Sequence, residues 1–144
     1  MKGGNDDGWF AELEASVPGS AARLRAFVDG CAGPGVTRSA RTVLVVRIAG
    51  PAGIVEALGF GPSGDVQVPW MISGHKAASR DFALAIAGAI PGAVAYENAK
   101  MWTVRAEHLV RRPPLRIGEV LDAAEEVRAA VLALAGSIGG AGTP

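Results

Sequence analysis

From Ile117 to Ile138 the apolar residues step by three and four without a break: Ile117, Val120, Ala124, Val127, Val131, Leu134 and Ile138. That spacing puts them on one face of a single long helix. Glu119, Asp122, Glu125 and Glu126 lie off the stripe and near its start, where the helix dipole favours negative charge. An apolar face of this kind has to be buried. Either a sheet of the same chain or a matching helix of a second copy can bury it. Val120, Val127, Val131, Leu134 and Ile138 are therefore candidates for a subunit interface as well as for the core. The seven-residue repeat suits a paired helix, but the flanking positions are Leu121, Ala123, Arg128, Ala130 and Ala135. They lack the opposed charges that steer coiled-coil pairing. Small alanines there point to a wide buried face, against the chain's own sheet or a twin subunit.

The preceding segments supply that sheet. The run "RTVLVVRIA", 41–49, is rich in β-branched residues and apolar on both faces, which predicts a central strand. Residues 54–72 read as a β-hairpin around the Pro-Ser-Gly-Asp turn at 62–65. Pro69 places the second arm at an edge or a bulge, because it lacks an N–H. A strand over 100–106 follows, with 94–97 as a short partner. Helices are expected from Trp9, with Asp6 or Asp7 as cap, and from Ala21 to Asp29, with Ser20 as N-cap. A third is expected over about 76–89, closed by Pro91-Gly92. "GCAGPG", 30–35, is a loop, and "RRPP", 111–114, is an extended connector. The fold class is α+β in the order α-α-β-β-β-α-β-α: one domain over 9–138, with a small, mostly antiparallel sheet of about four strands under its helices. Residues 1–8 read as a disordered tail and 139–144 as a flexible one.

The chain has 144 residues, enough for a core without metal or disulfide staples. It is 49% hydrophobic and 19% charged, with 14 basic and 14 acidic residues. That balance disfavours a nucleic-acid binder unless charge is sorted onto one face, and the apolar surplus favours a subunit contact. The amino end does not read as a secretory signal, and the apolar runs are too short and too broken to cross a bilayer. The expectation is a cytoplasmic protein without a membrane partner.

Chemistry concentrates in "VPWMISGHKAASRDF", 68–82. An apolar strand gives way to a helix start carrying cations, the end of a helix that ordinarily disfavours them. A bound anion would reconcile the two. Ser73, Gly74, His75, Lys76, Ser79 and Arg80 are the candidate anion or phosphate site, joined by Arg111 and Arg112 if the fold brings them together. The segment lacks P-loop spacing, and a solvated turn with Ser73 or Ser79 as cap is the simpler account. With Arg38 and Arg41 these cations could also grip a phosphate backbone while Trp70, Trp102 and Tyr96 stack on bases. The competing account pairs the arginines with the equal number of acids and makes the tryptophans core anchors.

Catalytic groups are sparse. The histidines are His75 and His108, the single cysteine is Cys31, and no metal-ligand spacing occurs. An enzymatic reading has to centre on His75, on Glu97 with Lys100 and Asp65, or on Cys31 as a nucleophile. No catalytic residue, metal or cofactor is assigned. The leading expectation is a non-enzymatic binding or interaction module, a homodimer with a protein or other macromolecular partner. Nucleic-acid or phosphate-ligand binding through the basic strand-to-helix junction is the alternative, and a small enzyme is the third.

Overall fold

The runs at 44–50 and 53–60 lie side by side as antiparallel strands, and the rest of the fold is arranged on them. The computed structural model describes residues 2–32, 35–40, 42–50, 53–68, 76–97, 102–106 and 115–139. Within these the order is α1 (Lys2–Ser16), α2 (Ser20–Cys31), β1 (Val36–Ala40), β2 (Leu44–Gly50), β3 (Gly53–Phe60), β4 (Asp65–Gln67), α3 (Lys76–Ala89), β5 (Ala93–Glu97), β6 (Trp102–Ala106), β7 (Leu115–Arg116), α4 (Ile117–Asp122) and α5 (Ala124–Gly139). The class is α+β with antiparallel strands, as the pattern predicts. The sheet has five strands in the order β1-β2-β3-β4-β7, and β5 pairs with β6 in a second sheet. A bridge from Val68 to Val104, with Val104 N–H donating to Val68 O at 2.8 Å, joins the two sheets just beyond β4.

Side-chain alternation separates the two faces of the sheet. Leu44, Val46, Ile48, Val55, Leu58 and Phe60 point into one contiguous core. Opposite Val46 and Arg47 stand Leu58 and Glu56, so Ala57 is an extra residue that bulges β3. Thr37, Val45, Arg47 and Glu56 alternate onto the other face, where Arg47 Nε donates to Glu56 Oε2 at 2.9 Å. The described helices form one layer on the core face. α2 packs beside α1 and α5, α5 lies on β2, and α3 lies between α5 and the β5–β6 pair.

The last helix is two helices. Ala123 leaves helical geometry at φ −110° and ψ 31°. α4 then packs toward β4 and β7, while α5 turns across β2 and α3. α5 ends against the sheet at Gly50. A Cβ there would sit 2.6 Å from Ile138 Cγ2 and 3.0 Å from the Ile138 carbonyl oxygen, so only glycine admits this approach. Gly64 closes the β3–β4 turn at φ +102°, a conformation glycine tolerates, and accepts the Ile117 N–H at 2.8 Å. Arg116 locks that turn to α4 by bonding Asp65 and, at 3.0 Å, the Ser63 carbonyl.

Several boundaries differ from the sequence reading. α1 starts at Lys2 and runs through the segment read as a tail, so Asp6 and Asp7 are helical residues and not caps. Its anchor is the buried trio Trp9, Phe10 and Leu13. A helix nucleated there extends backward at little cost. Ser20 is the first residue of α2 and does not cap it. Its hydroxyl donates to Val17 O at 2.6 Å. The cap is Glu14, whose carboxylate accepts from the N–H groups of Gly19 and Ala21 at 2.7 and 3.2 Å. The strand expected from 41 begins at Leu44, and β1 forms before it. Pro69 and the 111–114 connector lie outside the described residues.

Candidate functional site

Ser73, Gly74, His75, Arg111, Arg112 and Trp70 fall outside the described residues, and of Lys76 only the backbone, opening α3, is described. Of the described members of the anion candidate, Ser79 does not present itself to a ligand. Ser79 is fully buried and its hydroxyl accepts the Trp102 N–H at 3.3 Å, so it is a packing residue that ties α3 to β6. This corrects its assignment as an anion donor: one turn into the helix, Ser79 faces the sheet. Arg80 is exposed and pairs with its neighbour Asp81 at 3.5 Å. Trp102 is half-buried and packs against the core, the anchor role weighed beside stacking. Tyr96 is half-buried on β5.

Three further arginines are also engaged. Arg23 pairs with Asp122 at 3.0 Å, Arg25 with Asp7 at 3.4 Å and Arg38 with Asp29 at 2.5 Å. Arg25 also lies 4.1 Å above the Phe10 ring. Such exposed pairs each contribute about 0–1 kcal/mol. Each offsets the charge that its arginine could offer a phosphate. Asp65, offered as a companion to Glu97 and Lys100, is held by Arg116. Among the described residues no three His, Cys, Asp or Glu side chains gather where they could hold a metal ion. No described helix is long and apolar enough to cross a membrane.

Val120, Val127, Val131, Leu134 and Ile138 are 0–3% exposed and belong to the chain's own core. They are not available as an interface, because the sheet and α3 already cover them. The opposite side of α5 tells another story. Its exposed residues from Ala129 onward are Ala129, Leu132, Ala133, Gly136 and Ser137, without a charge among them. Leu132 is 42% exposed, and Leu84 on the adjoining α3 is 50% exposed. A surface helix ordinarily turns charged residues to solvent.

Cys31 closes α2 with its side chain at 0% exposure. Burial pushes its thiol up from the ordinary 9.0 to about 11, against a smaller opposing pull from Arg128. A thiol held protonated is a poor nucleophile, which removes the support for the cysteine reading. The folded protein holds this proton more tightly than the unfolded chain. Its contribution to stability is complete below pH 9.0 and is lost as pH rises toward about 11. In urea titrations across that window, the midpoint of the wild type is expected to fall faster than that of Cys31→Ala. An aromatic disulfide reagent should react only as the protein unfolds. Rapid labelling of the native state would contradict this.

Two grooves border α2. One, of about 430 Å³, runs between α2 and the α4–α5 junction over Phe27 and Leu121, with Arg23, Glu125 and Arg128 on its rim. The other, of about 110 Å³, lies between α2 and β1. Sequence reasoning identified neither: the first is assembled from elements far apart in the chain, and the second depends on how α2 is set against β1 and β2. No protein-family model, curated protein or solved structure matches this chain.

Proposed function

We propose that the protein is a non-enzymatic binding module that works as a homodimer, with the outer face of α5 as its subunit contact. The observation that carries this reading is the uncharged face of Ala129, Leu132, Ala133, Gly136 and Ser137; Leu84 of the adjoining α3 is exposed as well. Small residues let two helix backbones approach closely, and Leu132 gives each copy an apolar knob for the other. A two-fold axis would set the same patch against itself, so the face needs only self-complementarity. The titratable groups support binding over catalysis: Cys31 is sequestered, and Arg23, Arg25, Arg38, Arg47, Arg80 and Arg116 are each tied to an acid.

Size-exclusion chromatography with light scattering is expected to return twice the monomer mass at micromolar concentration. Leu132→Glu should return the monomer mass with an unchanged circular dichroism spectrum, since Leu132 is only half-covered in the single chain. A wild type that stays monomeric at high micromolar concentration would defeat the proposal.

A further inference from the structure

The larger groove beside α2 follows two helical stretches that run in the same direction. Arg23 of α2 pairs with Asp122 at one end of it. At the other end the Arg128 stem crosses Gly30, where a Cβ would meet its Cδ at 3.3 Å. From Arg23 to Gly30 is about 10 Å of helix. Phe27 and Leu121, each 5% exposed, form the floor, and the small side chains of Ala26 and Ala124 leave the space of about 430 Å³ open above them. The Arg23–Asp122 pair balances its own charge. Glu125 and Arg128 are different: both are exposed on the rim, and among the described residues neither is in an ion pair. Three positions apart in α5, they are neighbours on the helix surface. An unmatched acid and an unmatched base thus stand about one helical turn apart beside an apolar floor.

We propose that this groove binds a free α-amino acid with a large aliphatic side chain, its ammonium on Glu125, its carboxylate on Arg128 and its side chain over Phe27 and Leu121. Charge complementarity selects that occupant. A ligand of one sign would meet one rim charge and be repelled by the other, and an uncharged apolar ligand would leave both unmatched. An α-amino acid carries both charges and its apolar group on a single carbon, so adjacent turns of one helix can reach the two charges while the side chain lies on the floor. A guanidinium takes a carboxylate with two parallel N–H donors, and an ammonium donates to the carboxylate of Glu125. The volume lies within the range of small-ligand sites, about 300–1,000 Å³, as does the makeup of the walls, apolar with a few convergent polar groups. Because the rim charges are exposed, each contact contributes modestly, and the expected affinity is millimolar.

The proposal rests on the reading of the protein as a binding module but not on the α5 contact. Amide-resolved NMR titration of the full chain with L-leucine is expected to give saturable shifts at Ala26, Gly30 and Ala124. Two analogues each lack one charge: 4-methylpentanoate has no ammonium and 3-methylbutylamine no carboxylate. Each should bind roughly threefold or more weakly than leucine. Arg128→Gln should erase the margin of leucine over 3-methylbutylamine and keep its margin over 4-methylpentanoate. Glu125→Gln should do the reverse, a pairing of variant with analogue that a structural role for either residue would not produce. Ala26→Leu, an exposed helix position, should fill the groove and weaken leucine binding. Leu132→Glu should bind leucine as wild type does, so failure of the dimer and failure of the groove are separable. Absence of saturable shifts up to the solubility of leucine, or equal binding of leucine and both analogues, would overturn the assignment. So would a wild-type dimer that Ala26→Leu dissolves, since a second copy would then occupy the groove.

Discussion

Val131→Asp is expected to abolish the folded state, with no cooperative thermal transition by circular dichroism at any temperature. Val131 is 0% exposed in the middle of α5 and belongs to the contiguous core. Truncating its apolar burial costs about 1.5–3 kcal/mol. Asp adds the larger cost of a carboxylate with no partner in an apolar setting, several kcal/mol even after it protonates. Together these approach the whole stability of a domain, about 5–15 kcal/mol. The neighbouring residue makes the contrast sharp. Leu132→Glu, one position along the same helix, should keep the fold and change only the assembly. If the stripe were a dimer contact, Val131→Asp would give a folded monomer. A cooperative melt from that variant would mean that the core face of α5 has been misassigned.

The same helix shows what the sequence makes legible. Periodicity found the stripe from Ile117 to Ile138, because burial acts on side chains at regular spacing. It did not say whether the covering surface belongs to this chain, since a sheet and a second helix ask for the same apolar residues. The break at Ala123 was invisible for a related reason: α4 and α5 each continue the stripe, so the pattern survives a change of direction. The strand run, the turn at 62–65 and α3 were legible because β-branched residues, turn formers and helical spacing are all local signals. β1 was not. "VTRSA" carries one large apolar residue, Val36, and forms a strand because β2 offers it a ladder. The α2 cap was missed because the carboxylate comes from Glu14, in the helix before it, and not from the residue beside the helix start. The anion candidate turned on which way each side chain faces. Ser79 belongs to that segment by sequence and to the core by geometry.

Phe60→Ala is expected to lower stability by about 3–5 kcal/mol, the range for deleting a buried aromatic side chain. Phe60 is fully buried and joins three parts of the core. It ends β3 between Leu44 of β2 and Val66 of β4, and its ring meets Phe27 of α2 edge-on, with centroids 6.2 Å apart and planes at 72°. The bulge at Ala57 bears on this, because the extra residue shifts the alternation after Glu56 by one and so carries Phe60 to the helix side of the sheet. Urea titration should show a lower midpoint with an unchanged slope, since the loss is in packing and the surface exposed on unfolding barely changes. Phe27 is part of the same contact, so Phe27→Leu, Phe60→Leu and their combination should fail to add, with a coupling of about 0.5–1.5 kcal/mol. Additive losses would mean that the two rings stabilise the sheet and α2 separately. The edge-on contact would then not be what fixes α2, and with it the wall of the α2–β1 groove, over the sheet.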